Sequence, residues 1–341
     1  MRLKVALSIM TVLVMSSCSF DSNKLMPGFM KKSAGHSVDS YTIKTGKKEF
    51  YVIRDGVTFT DGSYITPDGE GTIILPKGYY FVNSSGGRIL AANRHGDIIV
   101  LKSNGEEIAR TKLEAPLVSG VTFSGGIAYL LQGNRFGIYD PFNNRIVFQK
   151  QFKGGSVVDN RLANPIVAQN FIALPTLDGK LVLINPRNPA TPAAIPVGET
   201  KNYGNIIFAK AINNKIVLAT PSNVLVVSPA GKKEYSAKIA DITVKNGIIY
   251  LLTRDGKVEK LTTDLNVIAS KKFAYADYAT IAALNGKVYA YAKSGSLVVM
   301  DDNLQKYKVY SIGSASDYSF VSGNYLYIDD KKVDLSALGY E

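Results

Sequence analysis

Apolar positions in this chain fall in short runs of Val, Ile, Leu and Tyr, each bounded by Gly, Asn or Asp. No segment keeps a 3.6-residue period, so the pattern predicts strands of about five residues rather than helices. The runs repeat. "GGRILAANRHGDIIVLKSNGEEIARTKL" (86–113) is followed by "GGIAYLLQGNRFGIYDPFNNRIVFQKQF" (125–152), and related units occupy 169–189, 213–239, 246–273 and 285–312, with a shorter copy at 323–335. Each reads strand, tight turn, strand, turn, strand. Asn246-Gly247, Asp255-Gly256 and Asn285-Gly286 supply the positive φ that hairpin turns require.

The turn anchors Gly87, Gly126, Asn170, Asn214, Gly247, Gly286 and Asn324 recur every 33 to 44 residues, the spacing of four-stranded propeller blades. One blade cannot bury both of its faces, and a row of blades leaves two open edges. Closing the row into a ring removes them. The expected fold is therefore an all-β propeller of seven four-stranded blades, with 50–80 able to supply an eighth. The last copy is short, so N-terminal strands, 50–53 or 72–75, are expected to complete the C-terminal blade. A pair of β-sandwiches is the structural alternative. Two connections are longer than the rest, "KGGSVVDNRLANP" (153–165) and "NPRNPATPAAIPVGETKNYG" (185–204). Pro186, Pro189, Pro192 and Pro196 predict a polyproline-like arm in the second. Loops on a rigid ring are where binding residues concentrate.

The N-terminus breaks the pattern. Arg2 and Lys4 precede an apolar run over 5–15, then Ser16, Ser17 and Cys18, the one cysteine in 341 residues. The run has signal-peptide length and is too short to span a bilayer. "MSSC" (15–18) resembles a bacterial lipobox, with Met15 where Leu is usual. That resemblance implies cleavage after residue 17, acylation of Cys18, and anchoring by several chains. An ordinary secretory signal with a cysteine near the cut, or a short membrane anchor, fits the same run. Ser19 stands where an Asp often marks inner-membrane retention, which points by resemblance to the outer membrane, periplasmic face, with surface exposure as the other arrangement. Residues 18–48 are expected to be a lipidated flexible tether and 49–341 the propeller.

The net charge of +12 is dispersed rather than blocked, which suits a solvated surface with a bias towards anionic partners and argues against nucleic acid. Two histidines, His36 and His95, cannot make a zinc site. Asp301-Asp302 and Asp329-Asp330 read as turn caps, because adjacent strand residues face opposite ways. Arg135, with Phe136, Tyr139 and Phe142 nearby, has the composition of a binding hot spot and equally of a strand with alternating buried rings.

The phrases "NGIIYLLTRDGKVEKL" (246–261) and "NGKVYAYAKSGSLVVMD" (285–301) resemble pyrroloquinoline-quinone-type propeller repeats. Together with the lipobox they make the chain similar to the BamB-like outer-membrane assembly lipoproteins. "VVDNRLANPIVAQNFIAL" (157–174) is similar to that family's partner-contacting loop. The resemblance places Asp159, Arg161 and Leu162 on the loop and Pro165 on its proline. Asn160 interrupts the match, and the acidic residues that follow in the family are missing here. The same stretch fits a polar inter-blade loop whose arginine satisfies carbonyls. Quinone enzymes on this fold need a Trp floor and often a disulfide ring, and this chain has no Trp. No cofactor and no enzymatic activity are expected. The expected role is a scaffold assisting insertion of outer-membrane β-barrel proteins, with the barrel-assembly machinery or its client barrels as partners. The alternative is a propeller that binds an envelope or host factor.

Radiolabelled palmitate should incorporate into the full-length protein in a bacterial host, and Cys18→Ser should abolish labelling and release the protein from the membrane fraction. Labelling that survives the substitution would remove the anchor.

Overall fold

Asn246 and Gly247 have φ of 50° and 75°, and Asn285 and Gly286 of 50° and 72°, the left-handed pair that turns a strand back on itself in two residues. Short turns join consecutive antiparallel strands in the computed structural model, which describes residues 36–54, 56–154, 161–168, 170–197, 204–316 and 318–341. The strands form eight sheets, each one blade of a ring. Blade 1 covers 49–70, blade 2 80–112, blade 3 117–151, blade 4 166–196, blade 5 208–236, blade 6 239–272, blade 7 278–311 and blade 8 319–334. The eighth blade comes from the 50–80 region. Among the described residues no helix is long and apolar enough to cross a membrane.

Burial follows strand position. The second strand of blade 3, Gly126–Leu131, is buried throughout, whereas its outermost strand, Arg145–Gln151, is almost wholly exposed. Middle strands are covered on both faces by neighbouring blades, which is why they read as continuous apolar runs. The buried apolar side chains accordingly divide into eight clusters, one per seam. Leu90, Ile127 and Tyr129 fill the seam of blades 2 and 3, and Val288, Val298 and Met300 pack against Leu252 and Phe273 between blades 6 and 7. No single central core exists among these residues.

The ring closes as expected, through an N-terminal strand on the C-terminal blade, but with a different strand. Thr42–Lys44 pairs antiparallel with Lys331–Asp334 as the outer strand of blade 8. Residues 50–53 and 72–75 lie in and after blade 1 instead. The ring therefore takes in residues before the expected boundary at 48/49. Val38, 2% exposed, is seated in the seam of blades 7 and 8, and His36–Ser37 adds a parallel fifth strand to blade 7. Burying one valine is worth roughly 1.5–3 kcal/mol, so the clasp draws on a seated side chain as well as on its short ladder.

The proline-rich stretch departs from expectation. Asn188–Pro196 is the outer strand of blade 4 and pairs through Lys180↔Pro196, Leu181↔Ile195, Val182↔Ala194 and Leu183↔Ala193, with a register shift before Asn185↔Asn188. Proline lacks an N–H, which an outermost strand can spare on its solvent side. The prolines thus mark an edge strand, not a free arm.

Gly137 lies where the second and third strands of blade 3 meet bulky neighbours: a Cβ there would stand 2.2 Å from the Phe148 carbonyl oxygen and 2.7 Å from the Tyr129 hydroxyl. Gly137→Ala should destabilise the fold by about 2–3 kcal/mol through overpacking. Gly154→Ala, with nothing within 4 Å, should leave the urea midpoint unchanged.

Candidate functional site

The innermost strand of each blade has an open edge facing the ring axis, and its N–H and C=O groups need partners. Side chains from other blades supply them. Asn83 Nδ2 on blade 2 donates to the Gly120 carbonyl of blade 3 at 3.0 Å, and Thr280 Oγ1 on blade 7 to the Ser319 carbonyl of blade 8 at 3.0 Å. The inner strand of blade 6, Ile239–Lys245, shows the pattern most fully. Successive carbonyls of a strand point opposite ways, so those of Ala240, Ile242 and Val244 share the axial side. Each accepts from a cation of a different ring segment: Arg161, preceding blade 4, at Ala240; Arg54 of blade 1 at Ile242, 3.2 Å; and Lys210 of blade 5 at Val244, 3.0 Å.

Asp241 sits at the centre of this comb and is 9% exposed. Its Oδ1 lies 3.3 Å from Arg54 Nη2 and 3.9 Å from Arg161 Nη1, and its Oδ2 accepts the Ile281 N–H of blade 7 at 3.0 Å. One carboxylate thus links blades 1, 6 and 7 and the loop into blade 4. The Arg54 guanidinium also stacks 5.2 Å from the Phe208 ring centroid. On the same loop, Asn164 Nδ2 reaches the Val82 carbonyl of blade 2 at 3.1 Å, and Asn205 Nδ2 holds the Arg161 carbonyl at 2.9 Å. Residues 161–164 therefore bridge the axis from blade 2 to blade 6. Beside them an axial cavity of about 1370 Å³ is lined by the inner strands of blades 5–8 and the turns of blade 1.

The expected site residues do not gather at one surface. Cys18 and Asp159 lie outside the described residues. Arg161 points into the axis and satisfies a carbonyl, as the inter-blade-loop reading of that stretch allows. Leu162 packs, partly buried, in the seam of blades 3 and 4. Arg135 is engaged on blade 3, 2.6 Å from Glu114 Oε2 and 3.3 Å from Gln151 Oε1. Near it Phe136 and Tyr139 are buried and Phe142 is 67% exposed, so the run is chiefly a strand with inward rings. His95 is exposed in its turn. The Asp301-Asp302 pair needs a correction. Asp301 caps the Gln305 and Lys306 amides at 2.7 and 2.8 Å, but Asp302 bonds Tyr250 Oη at 2.7 Å and Lys260, tying blade 7 to blade 6. Lys260 and Tyr250, by bonding the Asp302 carboxylate, outweigh its desolvation and hold its pKa below the usual carboxylate range.

Arg54, Lys210 and Asp241 escaped the sequence reading. Asp241 left a signal, an acid inside the mostly apolar "IADITV" (239–244), where the neighbouring blades carry Phe208 and Thr280 at the same register. Among the described residues no three His, Cys, Asp or Glu side chains are grouped to hold a metal ion. What the axis offers is bracing, charge and a cavity.

Residues 76–243 match the family model described as "Outer membrane protein assembly factor BamB". The plasminogen-binding protein PgbB of Helicobacter pylori strain J99 is 25% identical over 235 residues, 67% of this chain and 43% of that protein. The matched region thus spans less than half the length of that relative. Among solved structures, BamB from Moraxella catarrhalis superposes with a TM-score of 0.63 at 13% identity, covering 85% of this chain and 97% of that one. Apo AztD from Citrobacter koseri gives 0.57 at 15% identity, covering 82% and 86%. Likeness at these identities speaks to the fold.

Asp241→Ala should cost about 1–3 kcal/mol, because it removes a carboxylate that meets two largely buried guanidinium groups and leaves the Ile281 N–H without its acceptor. In a double-mutant cycle by urea denaturation, Arg54→Ala/Asp241→Ala should lose less than the sum of its singles. Strict additivity would show that the axial pair carries no coupling.

Proposed function

This chain is a BamB-like β-propeller of pyrroloquinoline-quinone-type repeats, and we propose that it is a non-enzymatic, protein-binding scaffold of the cell envelope. In this reading a signal peptide ends before Cys18, the acylated cysteine holds the ring at the periplasmic face of the outer membrane, and the ring assists assembly and insertion of β-barrel proteins. The observation that carries it is the match of 76–243 to the assembly-factor family. The geometry is consistent with it. The axial comb braces the ring, and a braced ring can hold loops in fixed relation without ordering cost on binding. On the face of the inter-blade connections, Tyr275 is 71% exposed and held at φ 62°, a conformation that bulky side chains seldom adopt. A large exposed ring in a strained loop is the kind of side chain that anchors a protein interface.

The similarity to a plasminogen-binding relative favours a second reading, a propeller that binds a host protein at the cell surface. Location separates the two, since a host-binding ring must be open to added protease on intact cells and a periplasmic one must be shielded.

Affinity capture of the tagged full-length protein from detergent-solubilised membranes should recover a subunit of the barrel-assembly machinery. Capture that returns none, alongside cleavage by protease on intact cells, would replace the assembly role with the host-binding one.

A further inference from the structure

Charge is unevenly distributed round the ring. Blade 5 carries Lys210, Lys215, Lys232 and Lys233 against Glu234 alone. Diametrically opposite, blade 1 carries Glu49, Asp61, Asp68 and Glu70 against Arg54 among its described residues. The antiparallel order of each blade sorts its turns onto two faces. Inter-blade connections and second-to-third turns occupy one face, and first-to-second and third-to-fourth turns the other, here the hairpin face.

Lys210, Lys215 and Lys233 of blade 5 line up on the hairpin face, along the seam with blade 6. Lys245 ends the inner strand of blade 6 at that face, and Lys210 Nζ is bonded beside it, to the Val244 carbonyl. Further out, Lys215 Nζ lies 3.2 Å and Lys233 Nζ 3.1 Å from the same Asp264 oxygen, across the seam. Lys232, next to Lys233 on the outer strand, faces away from this seam and lies 3.3 Å from Glu234. Four ammonium groups, of Lys245, Lys210, Lys215 and Lys233, thus run from the axis to the rim with the Asp264 carboxylate between them. Neither Lys210 nor Lys245 is ion-paired among the described residues. Burial and the adjacent Lys245 ammonium lower the Lys210 pKa, against a smaller opposite pull from Asp68. A like-charged pair at a cavity mouth is relieved by a bound anion.

We infer that this lysine ridge is a docking track for an acidic, extended polypeptide segment laid from the rim to the axial cavity along the seam of blades 5 and 6. Inner and outer strands of one blade stand about 15 Å apart, a span that about five extended residues cover. An anionic bilayer fits less well. A flat membrane on the hairpin face would also meet Asp68 of blade 1, Asp302 of blade 7 and Asp334 of blade 8, whereas a strand along one seam meets chiefly lysines. The inference rests on the protein-binding reading only in taking the partner to be a polypeptide, and it is independent of the assembly role.

The test uses the full-length protein in detergent and a fluorescein-labelled decapeptide of alternating Glu and Ala, followed by fluorescence anisotropy at low salt. Lys215→Glu/Lys233→Glu and Lys210→Glu/Lys245→Glu should each weaken binding about tenfold or more. Lys271→Glu/Lys272→Glu, on the outer strand of blade 6, should change it less than about twofold. Far-UV circular dichroism checks folding, and the Lys→Gln pairs give a smaller loss in the same order if a reversal does not fold. Equal loss in the control pair, or none in the ridge pairs, overturns the inference. So does co-sedimentation with phosphatidylethanolamine/phosphatidylglycerol vesicles that depends on the ridge while the peptide does not bind. Ridge-dependent peptide binding without capture of an assembly subunit would leave this inference standing and remove the assembly role alone.

Discussion

The structure depends on burying both faces of every blade. A four-stranded sheet with two apolar faces is stable only between two others, and a linear row always leaves its end blades half exposed. Closure into a ring is the one arrangement in which each of the eight sheets has two neighbours. The apolar clusters follow from this, because each belongs to a seam and none to a common centre. The weak point is the seam that covalent order does not supply. There Val57, Phe59 and Ile65 of blade 1 meet Tyr327 of blade 8, Thr42–Lys44 completes blade 8, and Val38 is seated in the adjoining seam of blades 7 and 8.

Ring closure solves the outer problem and creates an inner one. The inner strands bring backbone groups with an open edge together around the axis, and a carbonyl left unmet there is costly. Cations reaching from blades 1 and 5 and from the loop before blade 4 answer this on blade 6, and Asp241 offsets the charge they bring. The bracing is therefore a consequence of the fold's own accounting of hydrogen bonds. It also explains why Arg161, which family likeness assigns to partner contact, is turned inward here.

With the axis given to bracing and charge, recognition falls to surfaces that the seams leave exposed. Outer strands differ in how they discourage pairing. Blade 4 has prolines, blade 7 is covered by His36–Ser37, and blade 2 has Lys102 paired with Glu106 and Arg110 paired with Glu107 along its third and fourth strands. Blade 5 answers with lysines, and these continue inward to the cavity. An edge device that aligns with a cavity mouth has the makings of a binding surface.

Much of this was legible in the order of residues. Asn246-Gly247 and Asn285-Gly286 favour left-handed backbone and the Gly and Asn turn anchors recur at blade spacing, so the hairpins, the blade repeat and the need for an N-terminal closing strand followed from local chemistry. The identity of that strand did not. Residues 42–44, 50–53 and 72–75 all have strand character, and only the geometry of the finished ring selects the one that reaches blade 8. The prolines of 186–196 read equally as a rigid arm or an edge strand, and whether a neighbour lay on the N–H side was a tertiary matter. The axial site was the least legible. Arg54 and Asp241 are 187 residues apart and meet across the ring, so no spacing announces them. Local propensity and periodicity act over a few residues and determined the pieces. Contacts through the axis are set by the closure of the whole ring, and so only the tertiary structure could decide them.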